Sequence, residues 1–542
     1  MSNVDLLKEV VHKALSKAGL EVEPSLIVIE NSKDKAHGDY STNVALKYAK
    51  GLNKNPREFA QELVNLFEAD FIEKVEIAGP GFINFFLKNE SLSSILGEIF
   101  SKEGNYGRGE ANNKKVNVEF VSANPTGDLH LGHTRIAVIG DCISNILDFA
   151  GYKVTREYYL NDCGNQVEHL GNSLRARYLE LLGEPLCLGD DDYHGEDLIE
   201  IAKAILDQYK DTLKEDTKEN REFFIRYGID AEFSKIKKDL EAFRVGFDIY
   251  SKESDIRKSG KIEETLAFLK EKNFIYVNEG ATFLKTSEFL DDKDRPIIKA
   301  DGKYTYFLPD ICYHYDKIGR GYDFLIDVLG ADHHGYINRM KSALMMKGYS
   351  DKALEVELVQ IVRVYKDGVE IKMSKRTGKA ITHRELIEEV GVDSVRYFFA
   401  DRSQSSHLDF NLNLALERSS TNPVFYAQYA HARCCSLLSL SKDLSIDVSG
   451  KNLKEDDEIS ILKTLASFKS IIMSAAENRS PAKICLFIHT LAEKIHNYYA
   501  KHKIIDRDNI EVTSSRLALI KGCKIVLENA LKLIGVSAPE KM

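Results

Sequence analysis

No stretch of the chain approaches the ~20 consecutive apolar residues of a membrane-spanning helix, so no membrane partner is expected. The first twenty residues mix Asp5, Glu9 and several lysines into an amphipathic pattern and lack the apolar core of a signal peptide. Cysteine is sparse and unpatterned. The eight residues (Cys142, Cys163, Cys187, Cys312, Cys434, Cys435, Cys485 and Cys523) include no Cys-x-x-Cys spacing, so no disulfide framework is expected and the thiols are read as reduced. There is no His-Glu-x-x-His either. Basic excess is also missing: 74 lysines and arginines against 84 aspartates and glutamates leave a net charge of −10, the opposite of the footprint of nucleic-acid binders. A basic patch could act only locally, because screening confines each charge to about 8 to 10 Å. The expectation is a cytoplasmic protein.

What is present is ample for a large core: 542 residues, 43% of them hydrophobic and 29% charged, a length that suggests roughly three to four domains. The segment from Val116 to His133 carries the first chemistry. Val116, Val118 and Phe120 alternate as the buried face of a strand, and Asn124-Pro125-Thr126-Gly127 breaks it. Thr126 or Asp128 can then cap a helix over about 129–149, whose Ile136, Ile139, Ile143 and Leu147 recur at spacings of three and four, with Gly151 as the stop. Ligands of open α/β sheets sit where strand ends meet helix N-termini, whose unpaired N–H groups carry positive potential. His130 and His133, at i and i+3, face that space. Zinc ligation by the pair would need further ligands at usable spacing.

A second element lies far downstream. Lys372-Met373-Ser374-Lys375-Arg376-Thr377-Gly378 places two lysines three apart, directly after a hairpin read from Ile361 to Ile371 that turns at Lys366-Asp367-Gly368. His-x-Gly-His followed by Lys-Met-Ser-Lys resembles the signature pair of class I aminoacyl-tRNA synthetases. The surrounding text resembles the arginyl-tRNA synthetase family in particular: Val118–Gly127, Tyr304–Ile311, Leu329–Tyr336, Asn422–Arg433, Leu533–Met542, and nearer the start His37–Tyr40 and Gly79–Asn84. The resemblance runs nearly end to end. Without the resemblance, these residues point to a nucleotide-using enzyme of unknown acceptor.

Three units are expected. Residues 1–110 form an α+β N-terminal domain which, by the resemblance, contacts the outer corner of tRNA. Residues 111–405 form an α/β catalytic domain with a doubly wound, parallel, Rossmann-like sheet, interrupted at about 165–300 by a charged, helix-rich insertion and resuming with Tyr304–Phe307 and Phe324–Leu329. Residues 406–542 form an all-α bundle, the anticodon-binding domain of the family. Tyr426, Tyr429 and Arg433 share a helix face there and are candidates for stacking on unpaired tRNA bases, with burial in the bundle core as the alternative.

The resemblance implies a ligase that activates L-arginine with ATP to arginyl-adenylate and passes it to the terminal adenosine of tRNA(Arg), as a monomer, with Mg2+ accompanying ATP. Such a displacement asks the protein for positioning and charge neutralisation. His130 and His133 are accordingly assigned to the ATP phosphates and adenosine, and Lys372 and Lys375 to the leaving pyrophosphate. Ala123, Asn124, Pro125, Thr126, Gly127, Gly132, Met373 and Ser374 complete the nucleotide site, with Gly132 giving clearance for the purine. Arg376 stands where the widespread form of the lysine loop has serine. A guanidinium asks for bidentate carboxylates. By the resemblance Asp310, Tyr306 and Glu119 take the arginine side chain, Ser122 and Asn124 hold its α-amino and carboxylate groups, and His333, in the run Asp332-His333-His334, lies near amino acid or ribose.

Overall fold

In a computed structural model of the chain, which describes residues 3–32, 37–189, 191–195, 197–371 and 381–542, the alternating Val116, Val118 and Phe120 are buried in the strand Lys115–Phe120. That strand is the centre of a five-stranded sheet in the order Leu354–Val359, Phe324–Gly330, Lys115–Phe120, Lys153–Leu160, Ile249–Lys252. Every neighbouring pair is parallel. Because the first strand in sequence lies in the middle, connections leave it in both directions, and a crevice opens beyond the C-terminal ends of Lys115–Phe120 and Phe324–Gly330. The helix Leu131–Phe149 packs on this sheet through Ile136, Ile139, Ile143 and Leu147, all buried. Gly140 permits the close approach: a Cβ there would stand 2.2 Å from the ring of Phe120.

Two expectations for this unit are corrected. The stretch read as an insertion contains the sheet's own edge strand, Ile249–Lys252, after the helices Asn165–Leu181, Asp197–Tyr209 and Lys218–Ala242. Four residues without clean alternation carry too little pattern to stand out between helices. Tyr304–Phe307 is not a returning strand. Tyr304 makes only an isolated bridge to Ile298, and Phe307 opens the helix Phe307–Gly319, with Pro309 tolerated in its first turn. The hairpin forms as expected: Val362–Lys366 pairs with Val369–Ile371 around Asp367 and Gly368, at φ 53° and 77°.

At the N-terminus, four antiparallel strands (Glu30–Asn31, Tyr40–Thr42, Phe82–Leu87, Ile72–Ala78) carry the helices Asn3–Lys17 and Pro56–Asn65. The unit expected to be all-α from residue 406 opens instead with a strand, Leu408–Asn411, which pairs in parallel with Val362–Lys366 of the hairpin; beyond it the described residues are helical, with long helices at Pro423–Leu440, Asp456–Glu477, Pro481–Lys501 and Ile510–Leu533. Asp456–Glu477 is long and apolar enough to cross a membrane by length and composition. In the bundle its Ile461, Leu465, Phe468 and Ile472 are buried. Arg396, fully buried, ties three parts together: it pairs with Asp141 of the helix Leu131–Phe149 and donates to the carbonyls of Phe243 at 3.1 Å and Ile534 at 2.9 Å.

Candidate active site

The N-cap of Leu131–Phe149 is His130 itself, not Thr126 or Asp128. Its Nδ1 accepts from the backbone N–H of Gly132 at 3.1 Å and of His133 at 3.4 Å, while Nδ1 of His133 accepts from the N–H of His130 at 3.4 Å. Imidazole nitrogen thus takes the place of the usual side-chain oxygen in a reciprocal capping box. Since Nδ1 accepts in both rings, the proton of each neutral ring is on Nε2. The cap leaves two N–H donors for a ligand. Burial lowers the pKa of both rings, and for His133 the neighbouring His130 and His383 add to burial and bring it down to about 3. Protonation is disfavoured in both rings, so both are neutral at neutral pH. The rate of ATP–pyrophosphate exchange is therefore expected to show no inflection near the ordinary histidine value of 6.5, which a pH profile checks.

The space above Gly132 is filled by protein. A Cβ there would lie 2.9 Å from Cε1 and 3.1 Å from Nδ1 of His130, so the clearance expected for a purine belongs to the capping ring. Gly132→Ala is expected to displace that ring, weaken the cap by about 1 kcal/mol and raise KM for ATP while KM for arginine holds. A cavity of about 240 Å3 flanks His130, walled by Thr126, Gly127, Asp128, Tyr193 and Asp197.

The second feature is a row of carboxylates. Glu157, Glu119 and Asp327 are register partners on adjacent parallel strands, a placement that repels unless cations cover it. One helical segment supplies them. His314, Lys317 and Arg320 recur every three residues along and just beyond Phe307–Gly319. Lys317, with no exposed side-chain surface, pairs with Glu119 and lies 3.0 Å from Asp327 Oδ1; His314 Nε2 stands 2.8 Å from Asp327 Oδ2; and Arg320 Nη2 is 2.9 Å from both oxygens of Glu157. Glu119, read from sequence as an acceptor for arginine, is thus committed to Lys317, and its other oxygen accepts from the Ser122 hydroxyl at 2.9 Å. Ser122 Oγ in turn accepts from the N–H of Tyr159 at 3.1 Å. Val121 and Ser122 hold φ of 68° and 41°, left-handed values that non-glycine residues adopt at a cost of about 1 to 3 kcal/mol each, here at the lip of the crevice.

Asp310 stands at the open end of the row, in the first turn of the same helix, with Oδ1 at 3.1 Å from His314 Nδ1. Tyr306, the N-cap residue, is 68% exposed beside it. Sequence reasoning missed Glu253, which follows the edge strand directly and is 3% exposed. Its carboxylate accepts from Arg257 at 2.7 Å. Burial raises its pKa, Arg257 opposes, and the charges of Asp162 and Asp310 raise it further, so three carboxylates share one wall. Seeing Ile249–Lys252 as a strand would have exposed it, since a residue at the C-terminal end of a parallel strand faces the crevice.

The remaining candidates are spread around these. Asn124 Nδ2 donates to Gln166 at 2.6 Å, and Ala123 O accepts from Tyr158 at 2.7 Å. Pro125 is buried, and Thr126 and Gly127 line the cavity. His333 lies exposed in the turn Ala331–Tyr336, 3.7 Å from Asp332, and Asp332 is near enough to His130 for its charge to oppose the effect of burial there. Lys372, Met373, Ser374, Lys375 and Arg376 lie outside the described residues. A little further along the chain, His383 docks against the start of the histidine-bearing helix: its N–H donates to Leu129 O at 2.8 Å, and its Nδ1 is 2.9 Å from Thr134 Oγ1. In the bundle, the guanidinium of Arg433 lies between the rings of Tyr429 and Tyr499, at 4.7 and 4.2 Å from their centroids, and donates to His496 Nδ1 at 3.0 Å. Tyr429 is 38% exposed, and Tyr426 packs on His496 at 4.4 Å.

A parallel sheet opened at a switch point, with imidazole N–H donors at a helix start, is a nucleotide-handling site. Comparison with known proteins sets the class: residues 95–434 match the family of tRNA synthetases class I (R), catalytic domain. Residues 5–87 match the arginyl tRNA synthetase N terminal domain, and 427–542 the DALR anticodon binding domain. Curated arginine–tRNA ligases of Bacillus subtilis and Geobacillus thermodenitrificans are each 49% identical, over 99% of this chain and 99% and 98% of their own. The solved arginyl-tRNA synthetase of Thermus thermophilus shares the fold, with a TM-score of 0.78 at 22% identity over 100% of both chains. The chain belongs to the arginyl-tRNA synthetases.

Proposed function

We propose that the chain is an arginine–tRNA ligase working through the crevice between His130 and Asp310. Arginine is activated with ATP and transferred to tRNA(Arg), with AMP and pyrophosphate as products. In the first step an oxygen of the arginine carboxylate attacks the α-phosphorus and the bond to pyrophosphate breaks. In the second, the terminal ribose hydroxyl of tRNA attacks the arginyl carbonyl and AMP leaves. The Nε2–H groups of His130 and His133 donate to the ATP phosphates, where charge grows as pyrophosphate departs. Ala123 to Gly127 and Gly132 shape the nucleotide bed, and Lys372, Met373, Ser374 and Lys375 complete it. Asp310 receives the guanidinium, with Tyr306 beside it and Glu253 on the same wall; Glu119 and Ser122 hold the crevice in shape, and Asn124 and His333 flank the amino acid. The observation that carries this reading is a pair of neutral imidazoles capping the helix at the switch point, with a row of carboxylates on strands of the same sheet, in a chain 49% identical over its length to an arginine–tRNA ligase.

Among the described residues no group of three or more His, Cys, Asp or Glu is placed to hold a metal ion. Mg2+ enters with ATP, as part of the substrate, held mainly by phosphate oxygens and water. Residues 1–110 touch the outer corner of tRNA, 111–405 carry the chemistry, and 406–542 read the anticodon, with Tyr426, Tyr429, Arg433 and, beyond the sequence reading, Tyr499 as a stacking surface. The working form is a cytoplasmic monomer. Charging of total tRNA with labelled arginine tests the proposal: the expected product is base-labile arginyl-tRNA whose formation depends on ATP, and no charged product with all substrates and magnesium present would refute it.

A further inference from the structure

We propose that His314 is a positioning residue for arginine: clamped as an imidazolium between Asp327 and Asp310, it fixes one oxygen of Asp310 and leaves the single unmatched negative charge of the buried row facing the incoming guanidinium. This deepens the reading of Asp310 as guanidinium acceptor and rests on it.

Geometry sets the charge of the ring. Nε2 of His314 faces the Asp327 carboxylate at 2.8 Å, and Nδ1 faces two more acceptors, the Asp310 carbonyl at 2.8 Å and the Asp310 carboxylate at 3.1 Å. With an acceptor against each nitrogen, both carry a proton. The other members of the row are settled in the same way. Burial raises the pKa of Glu119, but a donor against each oxygen, the Lys317 ammonium and the Ser122 hydroxyl, holds it as a carboxylate, and Asp327 has His314 on one oxygen and Lys317 on the other. Glu157 takes Arg320 on both. Asp310, Asp327, Glu119 and Glu157 are then four negative charges against three positive ones, His314, Lys317 and Arg320, while Asp316, which also faces Arg320, is balanced by Lys261.

The surplus of one lies where a ligand can meet it. The side chains of Glu157, Glu119 and Asp327 are 0%, 9% and 3% exposed, whereas that of Asp310 is 29% exposed. A guanidinium brings the missing positive charge and the planar donors that a held carboxylate accepts. A neutral isostere would leave the surplus buried and uncompensated. His314 is pushed in the matching direction: burial opposes its charge, yet Asp327 and Asp310 raise its pKa to about 10.

The test uses the full chain with tRNA and ATP, in two variants. His314→Gln removes the cation, and the pair His314→Gln with Asp327→Asn removes one charge of each sign and keeps the buried balance. Both are expected to raise KM for arginine about tenfold, the size of one charge-assisted hydrogen bond, with KM for ATP within about twofold. An unchanged arginine KM in either folded variant overturns the proposal. Asp310→Asn runs alongside. If it lowers arginine use and the His314 variants do not, the acceptor reading stands and the positioning role falls; if Asp310→Asn itself leaves arginine KM unchanged, the acceptor reading falls. Should the His314 variants not fold, wild-type protein labelled with nitrogen-15 histidine decides. The proposal expects both ring nitrogens of His314 protonated at pH 8, and one bare nitrogen overturns it.

Discussion

Asp310→Asn is expected to lower kcat/KM for arginine by about 30-fold to several thousandfold, the equivalent of about 2 to 5 kcal/mol for deleting one partner of a desolvated charge pair. KM for ATP should barely move. The asymmetry arises because Asp310 sits at the end of the acidic row, tied to His314, whereas the nucleotide donors come from the cap of a different element, Leu131–Phe149. ATP–pyrophosphate exchange with each substrate varied in turn checks it. Equal losses for both substrates would mean that Asp310 supports the whole crevice and does not select the amino acid.

Lys317→Met is expected to cost about 3 to 5 kcal/mol of stability, the penalty for stripping the counter-ion from buried carboxylates. Lys317 is fully buried and serves Glu119 and Asp327 together, and methionine can fill its volume but not its charge. Urea unfolding at pH 7 measures the loss. The same row gives stability a pH signature. For Asp327, burial raises the pKa, but Lys317 and His314 prevail and hold it below the ordinary carboxylate range, so its contribution is present above the unfolded value of 3.8 and fades as pH falls through the native one. For His314 the native pKa is raised to about 10 against 6.5 unfolded. Its contribution is full below 6.5 and is lost as pH climbs toward about 10. Wild-type melting temperature should decline over that alkaline interval, and the His314→Gln/Asp327→Asn pair should lack that component of the decline.

Local pattern carried the central strand, the helix behind it, the hairpin at Asp367-Gly368 and the helical C-terminus, because each is written in neighbouring residues: alternation in Val116, Val118 and Phe120, spacing of three and four in Ile136 to Leu147, a left-handed pair at the turn. What local pattern cannot carry is partnership across distance. Glu119 has the right strand and the right end of it, yet its fate is set by Lys317, 198 residues away, and by a register that aligns it with Glu157 and Asp327. Nothing in the sequence displays that row until the strand order is known. The cap was hidden for a different reason. Histidine is not among the common N-cap residues, so Thr126 and Asp128 looked better than His130. Glu253 was obscured by its strand, four residues long in a helical neighbourhood. Residues on elements with strong local pattern were legible as elements, and the partnerships that depend on assembly were not.

The central claim is that the carboxylate of Asp310, the most exposed member of the acidic row, selects a guanidinium for activation. Comparing citrulline with arginine as substrates for tRNA charging by the wild-type enzyme tests it most directly, since the two share shape and differ in charge. The predicted kcat/KM for citrulline is lower by about 30-fold or more; charging of citrulline at a rate comparable to arginine would contradict it.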